Sequence, residues 1–323
     1  MPHPTTEPFR LLTRRSLLDL PVTQRHRLDA ERIHRLAGTP RCGDLSARQV
    51  AEPQFLVDLA ASTCSPDELL RPDDLGWRLA HSLEHALEQG VRLWLAEVPP
   101  QAPHRLTDLL GDDVVHVVSL TAPEPVAHDG AARSPDVVIA ISPLQLVLAL
   151  AERDEASRAY LRTALEGLDT LRCPRRATVA LRGAGVALNE HPRLLRWATN
   201  PVVIAYVVIF IYSSLRALPV AFVPGFHGHW WVLWLIDIVT AVPYTWGLVE
   251  MAAGPRIRRR LAGLVTTVVT FVAPYVYFWM QGRDYPRVVI IVVVAMIAGS
   301  AALETLRMLR DRMIVRGLRG RAG

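Results

Sequence analysis

Four long apolar runs dominate the second half of the chain, at Pro201–Val223, Trp230–Met251, Leu261–Met280 and Val288–Leu306. A helix needs about 20 mostly apolar residues to cross the hydrocarbon core of a bilayer. Each run meets that length, and each is too long and too uniformly apolar for a strand. The pattern therefore predicts four transmembrane helices joined by short loops. Pro243 and Pro274 are expected to kink the second and third.

The first half is patterned on a shorter scale. Residues 1–22 are proline-rich and read as a mobile leader. Helical spacing is expected at Gln24–Leu36, Pro53–Ala61 and Asp74–Gln89, the last ended by Gly90. The period then shortens. Val91–Val98, Val114–Leu120 and Val137–Ile141 read as strands, with Thr178–Leu181 as a fourth, and helices at Ala102–Leu110 and from Pro143 onward lie between them. Such alternation predicts an α/β layer with a mainly parallel sheet. The expected fold class is a membrane protein with four C-terminal transmembrane helices preceded by a cytosolic α/β-type domain. Its expected parts are a leader over 1–22, the α/β domain over 23–185, a juxtamembrane linker over 186–200, the bundle over 201–306 and a basic cytoplasmic tail over 307–323.

Charge changes the picture by orienting the bundle. Every basic residue is arginine, and the formal net charge is +5. Arg193 and Arg196 precede the first run, Arg256 to Arg260 separate the second from the third, and six arginines follow the fourth. The other two loops are poor in cations. Arginine-rich loops stay in the cytoplasm, so both termini are expected there, in the cytoplasmic membrane. Because the basic excess belongs to this half, it is topological, and nucleic acid is not an expected partner. Cys42, Cys64 and Cys173 fall in the cytosolic half and are expected as reduced thiols. The Thr13-Arg14-Arg15 stretch resembles a twin-arginine signal, but Asp19 and the charged run after it replace the apolar segment such a signal needs.

Candidate chemistry is sparse. His81-Ser82-Leu83-Glu84-His85 has the H-x-x-E-H spacing of the inverzincin metalloproteases, which implies a zinc held by His81 and His85 with Glu84 activating water. The helix places these residues opposite Leu75, Leu79, Leu83 and Leu87, on the face expected to meet solvent. No metal ligand is assigned on that basis. An open α/β sheet places ligands beyond the carboxyl ends of its strands, and Glu97, Ser119, Thr121 and Ser142 mark that crevice. No glycine-rich phosphate loop follows a strand, and no cofactor is identified. Within the bundle, Asp237 and Arg216 form an expected intramembrane polar pair, because both lie in one antiparallel hairpin. His227 and His229 sit at the tip of that hairpin.

These observations favour a non-catalytic regulatory or interaction protein. Its partners would be the lipid bilayer, a protein at the cytosolic domain and a second copy of the chain. Alternatives are a small channel or transporter gated by the domain, and a membrane-bound zinc hydrolase using His81, Glu84 and His85.

Overall fold

The computed structural model describes residues 16–71, 73–120, 136–192, 195, 198, 200–215, 229–280 and 287–320. It divides into two compact units. One combines residues 1–191 with Leu309–Gly323, and the other is Pro192–Met308.

The first unit is an α/β domain. Its sheet holds β1 (Val50–Ala51), β2 (Leu93–Val98), β3 (Val115–Val117) and β4 (Val137–Ile141) in the order β1-β2-β4-β3. The first and second expected strands correspond to β2 and β3, whose ends fall within three residues of the expected bounds, and the third coincides with β4. The pairing differs. Only β1 and β2 are parallel, while β4 runs antiparallel between β2 and β3. Hydrophobic alternation fixes which residues face a core, not the direction of a neighbouring strand, and the sheet is mixed rather than mainly parallel.

Alternation along β2 and β4 divides their side chains between two cores. Trp94, Ala96, Val98, Ile139 and Ile141 face the larger core, with Leu79, Leu83 and Leu87 of a long helix and Leu146 and Leu150 of another. Leu93, Leu95, Val138 and Ala140 face the smaller one, with Leu17, Leu28 and Ile33. A sheet buried on both faces needs apolar residues at every position, which explains the unbroken Val-Val-Ile-Ala-Ile of β4.

The helices of this unit are α1 (Pro21–Arg25), α2 (Ala30–Leu36), α3 (Gln54–Ala61), α4 (Pro66–Leu69), α5 (Asp74–Gln89), α6 (Ala102–Leu110), α7 (Pro143–Arg153), α8 (Glu155–Ala164) and α9 (Arg175–Gly183). Side-chain caps set several starts. Asp29 accepts from the amides of Glu31 and Arg32 at the head of α2, and Asp154 accepts from Ser157 at the head of α8. Gly90 closes α5 at φ +70°, a conformation that favours glycine. The expected strand Thr178–Leu181 lies inside α9. Ala177, Thr178 and Leu181 are its buried residues, a helical spacing that a four-residue apolar run conceals.

Two further expectations change. Leu17 and Val22 are buried, so the second part of the expected leader belongs to the smaller core, while residues 1–15 lie outside the described part. Ile314 and Leu318, from the segment read as a tail, are 4% and 0% exposed in that same core.

The second unit is helical, with α10 (Pro201–Leu215), α11 (Trp230–Ala253), α12 (Ile257–Met280) and the first part of α13 (Arg287–Gly320). Among the described residues, two helices are long and apolar enough to cross a membrane, over Trp234–Ala253 and Val289–Gly320. The described part of α10 is shorter than a span, so an anchor of four membrane helices is more than these residues establish. Helices α11 and α12 cross closely. A Cβ built on Gly247 would lie 2.5 Å from Thr267 Oγ1, and one on Gly263 would lie 2.6 Å from the Met251 nitrogen. Small residues that let two backbones approach this way are the usual device of membrane helix pairs. Beside the crossing, Arg260 bonds the Gly254 carbonyl and the Glu304 carboxylate, both at 2.8 Å. The Arg260 side chain is 9% exposed and that of Glu304 19%, so this pair is largely buried.

Candidate functional site

Glu97 is the penultimate residue of β2, and its carboxylate lies on the face of the smaller core but at the rim of the sheet. The chain leaving α1 crosses that rim. Arg25 places a guanidinium nitrogen 3.0 Å from one Glu97 oxygen, and His26 Nε2 lies 3.0 Å from the other. The His26 side chain is 2% exposed. Two residues on, Leu28 forms an antiparallel bridge with Ser119, flanked by bonds from Asp29 N–H to the Val118 carbonyl and from Leu120 N–H to the Arg27 carbonyl.

Segment Arg25–Asp29 thus joins two of the expected crevice residues, Glu97 and Ser119, at one end of the sheet. Thr121, the third, lies outside the described residues. Ser142 does not join them. With β4 antiparallel, it falls at the opposite end, where its hydroxyl accepts from the Gln145 amide at the head of α7. That is a helix cap. Ser119 is likewise engaged in backbone pairing, and Glu97 lines a cavity.

That cavity is a cleft of about 310 Å³ lined by Arg25, Glu52, Gln54, Glu97 and Asp136 with apolar Val22 and Val57. Glu52 Oε1 accepts from the Val22 amide at 3.2 Å. Burial holds the Glu52 carboxyl above the usual range, and the neighbouring Glu97 adds to this; the Val22 amide and Arg25 pull the other way. Three carboxyl groups facing one guanidinium make a site for a cationic group or for proton exchange. Among the described residues, the polar groups of the lining are carboxylates, an amide and a guanidinium. Glu52 and Asp136 carry no signal in the sequence that places them at this cleft. Pro53 after Glu52 reads as a helix start, and nothing in the spacing links position 52 to position 97.

A second hollow of about 470 Å³ is mainly apolar and opens where α4, α5 and α8 meet. Trp77, 54% exposed, and Ala80 form one wall, and Tyr160 lies across from them. The Tyr160 hydroxyl donates to the Gly76 carbonyl at 2.7 Å, and burial pushes the phenol up. The signal for Trp77 was present in the sequence as a large aromatic off the Leu75, Leu79, Leu83 and Leu87 stripe of α5.

The H-x-x-E-H segment lies on the solvent side of α5. The His81 side chain is 82% exposed and 3.9 Å from Glu84, and His85 is exposed as well. Among the described residues no group of three or more His, Cys, Asp or Glu is placed to hold a metal ion. In the helical unit Asp237 is 2% exposed. Arg216, its expected partner, lies outside the described residues, as does His227. The hydroxyls of Thr245, Thr267 and Thr270 donate to carbonyls four residues back in their own helices.

No protein-family model matches this chain, and neither a curated protein nor a solved structure matches it.

Proposed function

We propose that the chain is an integral cytoplasmic-membrane protein of regulatory or interaction type. Four C-terminal helices anchor it, both termini lie in the cytoplasm, and the α/β domain meets the partner. Two apolar helices of spanning length and the arginine-rich loops support the membrane part.

The observation that carries the regulatory part is the burial of Ile314 and Leu318 in the domain. These residues follow the last apolar run, and residues before the first run build the rest of the same core. The domain is therefore folded from both ends of the apolar stretch. A partner or ligand that shifts the domain's conformational balance acts on the chain at both ends of that stretch. The Glu97 cleft and the Trp77 hollow are the two sites where such a ligand would act.

The test is extraction of tagged full-length protein in a gentle detergent, followed by identification of what co-purifies. A partner is expected that is retained when Asp237 is changed and lost when Trp77 or Glu97 is changed. An empty pull-down overturns the reading.

Asp237, buried in an apolar helix, favours a second reading as a small channel or transporter. Ion or proton flux in liposomes that disappears in Asp237→Asn at unchanged protein level would favour it over the first.

A further inference from the structure

The last turns of α13 carry two adjoining sides. Asp311, Ile314, Val315 and Leu318 share one at helical spacing, and Arg312, Arg316 and Arg319 share the one next to it. The first side is docked. Ile314 and Leu318 lie in the smaller core, and a Cβ on Gly317 would meet Leu18 at 2.5 Å. The helix ends on the segment that crosses the sheet. Leu28 N–H donates to the Leu318 carbonyl at 2.7 Å, and Arg27 Nε donates to the Arg319 carbonyl at 2.6 Å. Both carbonyls belong to the last helical turn, which has no partner within the helix.

Charge complements this docking. Residues 1–191 hold 21 arginines against 26 acids, whereas residues 309–320 hold four arginines against one acid. Arg310 lies 3.5 Å from Asp44, Arg41 lies 3.8 Å from Asp311, and Arg319 lies 3.7 Å from Glu31. All three contacts are long and partly open to solvent, so each holds weakly and is screened by salt. Arg312 and Arg316 are exposed on the outer side.

We propose that residues 309–320 are a latch with a second destination, the anionic surface of the bilayer, whose headgroup phosphates take the arginines when the segment leaves the domain. This rests on the membrane reading above. A basic helix with one apolar side fits that surface, laying the apolar side into the headgroup boundary and the arginines among the phosphates. The segment's own apolar side chains are buried at either destination, but leaving the domain uncovers Leu17, Leu28 and the other core residues that Ile314 and Leu318 cover. Charge is what favours leaving. On the domain, two of the four arginines have a distant carboxylate partner, and on an anionic surface all four face phosphates.

The chain carries its own reporter. Cys42 is 4% exposed in the smaller core, and Gly43 next to it touches Asp311 so closely that an added Cβ would lie 1.6 Å from the carboxylate. Burial, with Asp311 beside it, pushes the Cys42 thiol up to about 12. A docked latch therefore protects Cys42 from alkylation, while Cys64 in the same domain is half-buried and serves as the reference.

The experiment alkylates full-length protein in vesicles of phosphatidylcholine alone and of phosphatidylcholine with phosphatidylglycerol, and reads each cysteine by peptide mass spectrometry. The Cys42-to-Cys64 labelling ratio is expected to rise several-fold in the anionic vesicles and to fall back in high salt. The double variant Arg312→Gln, Arg316→Gln is expected to abolish the rise and leave the phosphatidylcholine ratio unchanged. An equal ratio in the two vesicles overturns the latch. So does a rise that survives the double variant, or one that inorganic phosphate produces without anionic lipid. Carbonate washing of the same vesicles tests the membrane reading separately. If the protein is stripped off, that reading fails, and labelling on added anionic vesicles still reads the latch.

Discussion

The amide of Leu28 donates to the carbonyl of Leu318 at 2.7 Å, joining the segment that crosses the sheet to the final turn of the last helix. Neither residue is accessible, each at 0% exposure. The smaller core is thus incomplete without residues that lie more than a hundred positions beyond the rest of the domain. Truncating Leu318 to Ala is expected to lower domain stability by about 2–5 kcal/mol, the usual range for a buried Leu. Leu309→Ala, at a position 44% exposed, is expected to change it by no more than about 0.5 kcal/mol. Thermal unfolding of the detergent-solubilised proteins compares the two, and equal midpoints would show that the segment does not contribute to the core.

This return of the chain was the least legible feature of the sequence. Arg310, Arg312, Arg316 and Arg319 are explained equally well by membrane topology, and that explanation hid Ile314 and Leu318 between them. The strands were legible because their alternation is local. Their directions were not, because β2 and β4 lie forty residues apart and pair through backbone groups that every residue carries. Of the site, Glu97 could be found from its place at a strand end. Glu52 and Asp136 reach the same cleft only through the tertiary fold, and Ser142 was misplaced with the strand it follows.

Glu52 makes the cleft pH-sensitive with a definite sign. Its folded carboxyl titrates above its ordinary value because burial, and then Glu97, disfavour the anion. Between the unfolded and folded values the native state therefore holds a proton that the unfolded chain has released. Stability contributed by this group is present below the unfolded pKa of roughly 4.3 and is lost as pH rises through the folded value. Glu52→Gln removes the ionisation and retains an oxygen to accept from the Val22 amide. The variant is expected to unfold at a higher temperature than the parent at neutral pH, with the gap closing under acid conditions. Melting curves across that range check it, and a gap that widens in acid would reverse the sign.

Helix α5 allows its two faces to be tested against each other. Leu83 is 0% exposed in the larger core, so Leu83→Ala is expected to cost about 2–5 kcal/mol. His81→Ala and His85→Ala remove exposed side chains and are expected to stay within about 0.5 kcal/mol of the parent. Zinc added to the purified protein is expected to leave the midpoint unchanged. A zinc-dependent rise that His85→Ala removes would restore the metal reading.

The Arg260–Glu304 pair is a different kind of contact from the exposed ion pairs of the domain. Arg260 also bonds the Gly254 carbonyl, so its guanidinium ties the loop between α11 and α12 to the carboxylate. Removing one partner of a buried pair leaves a charge without compensation, at a cost of roughly 3 kcal/mol or more. Glu304→Gln is expected to lower both protein level in membranes and the unfolding midpoint. Arg260→Met with Glu304→Met removes both charges and is expected to recover much of that loss. If the double variant is worse than the single one, the pair is not the source of the effect.

The crossing of α11 and α12 makes one substitution act with opposite signs at two glycines. A methyl group at Gly247 would approach Thr267 Oγ1 at 2.5 Å, the Gly263 carbonyl at 2.8 Å and the Thr267 nitrogen at 2.9 Å. Two of these are backbone atoms and cannot turn aside, so the helices must separate. At Gly299 of α13 nothing lies within 4 Å of an added Cβ. There Ala only restricts the unfolded backbone and raises helix propensity, a gain of up to about 1 kcal/mol in a helix interior. Gly247→Ala is therefore expected to lower the unfolding midpoint in detergent, and Gly299→Ala to hold or raise it. A cysteine pair placed across the α11–α12 crossing should crosslink less efficiently in the first variant and equally well in the second. If the two substitutions shift stability in the same direction, the close approach at Gly247 is not what holds these helices together.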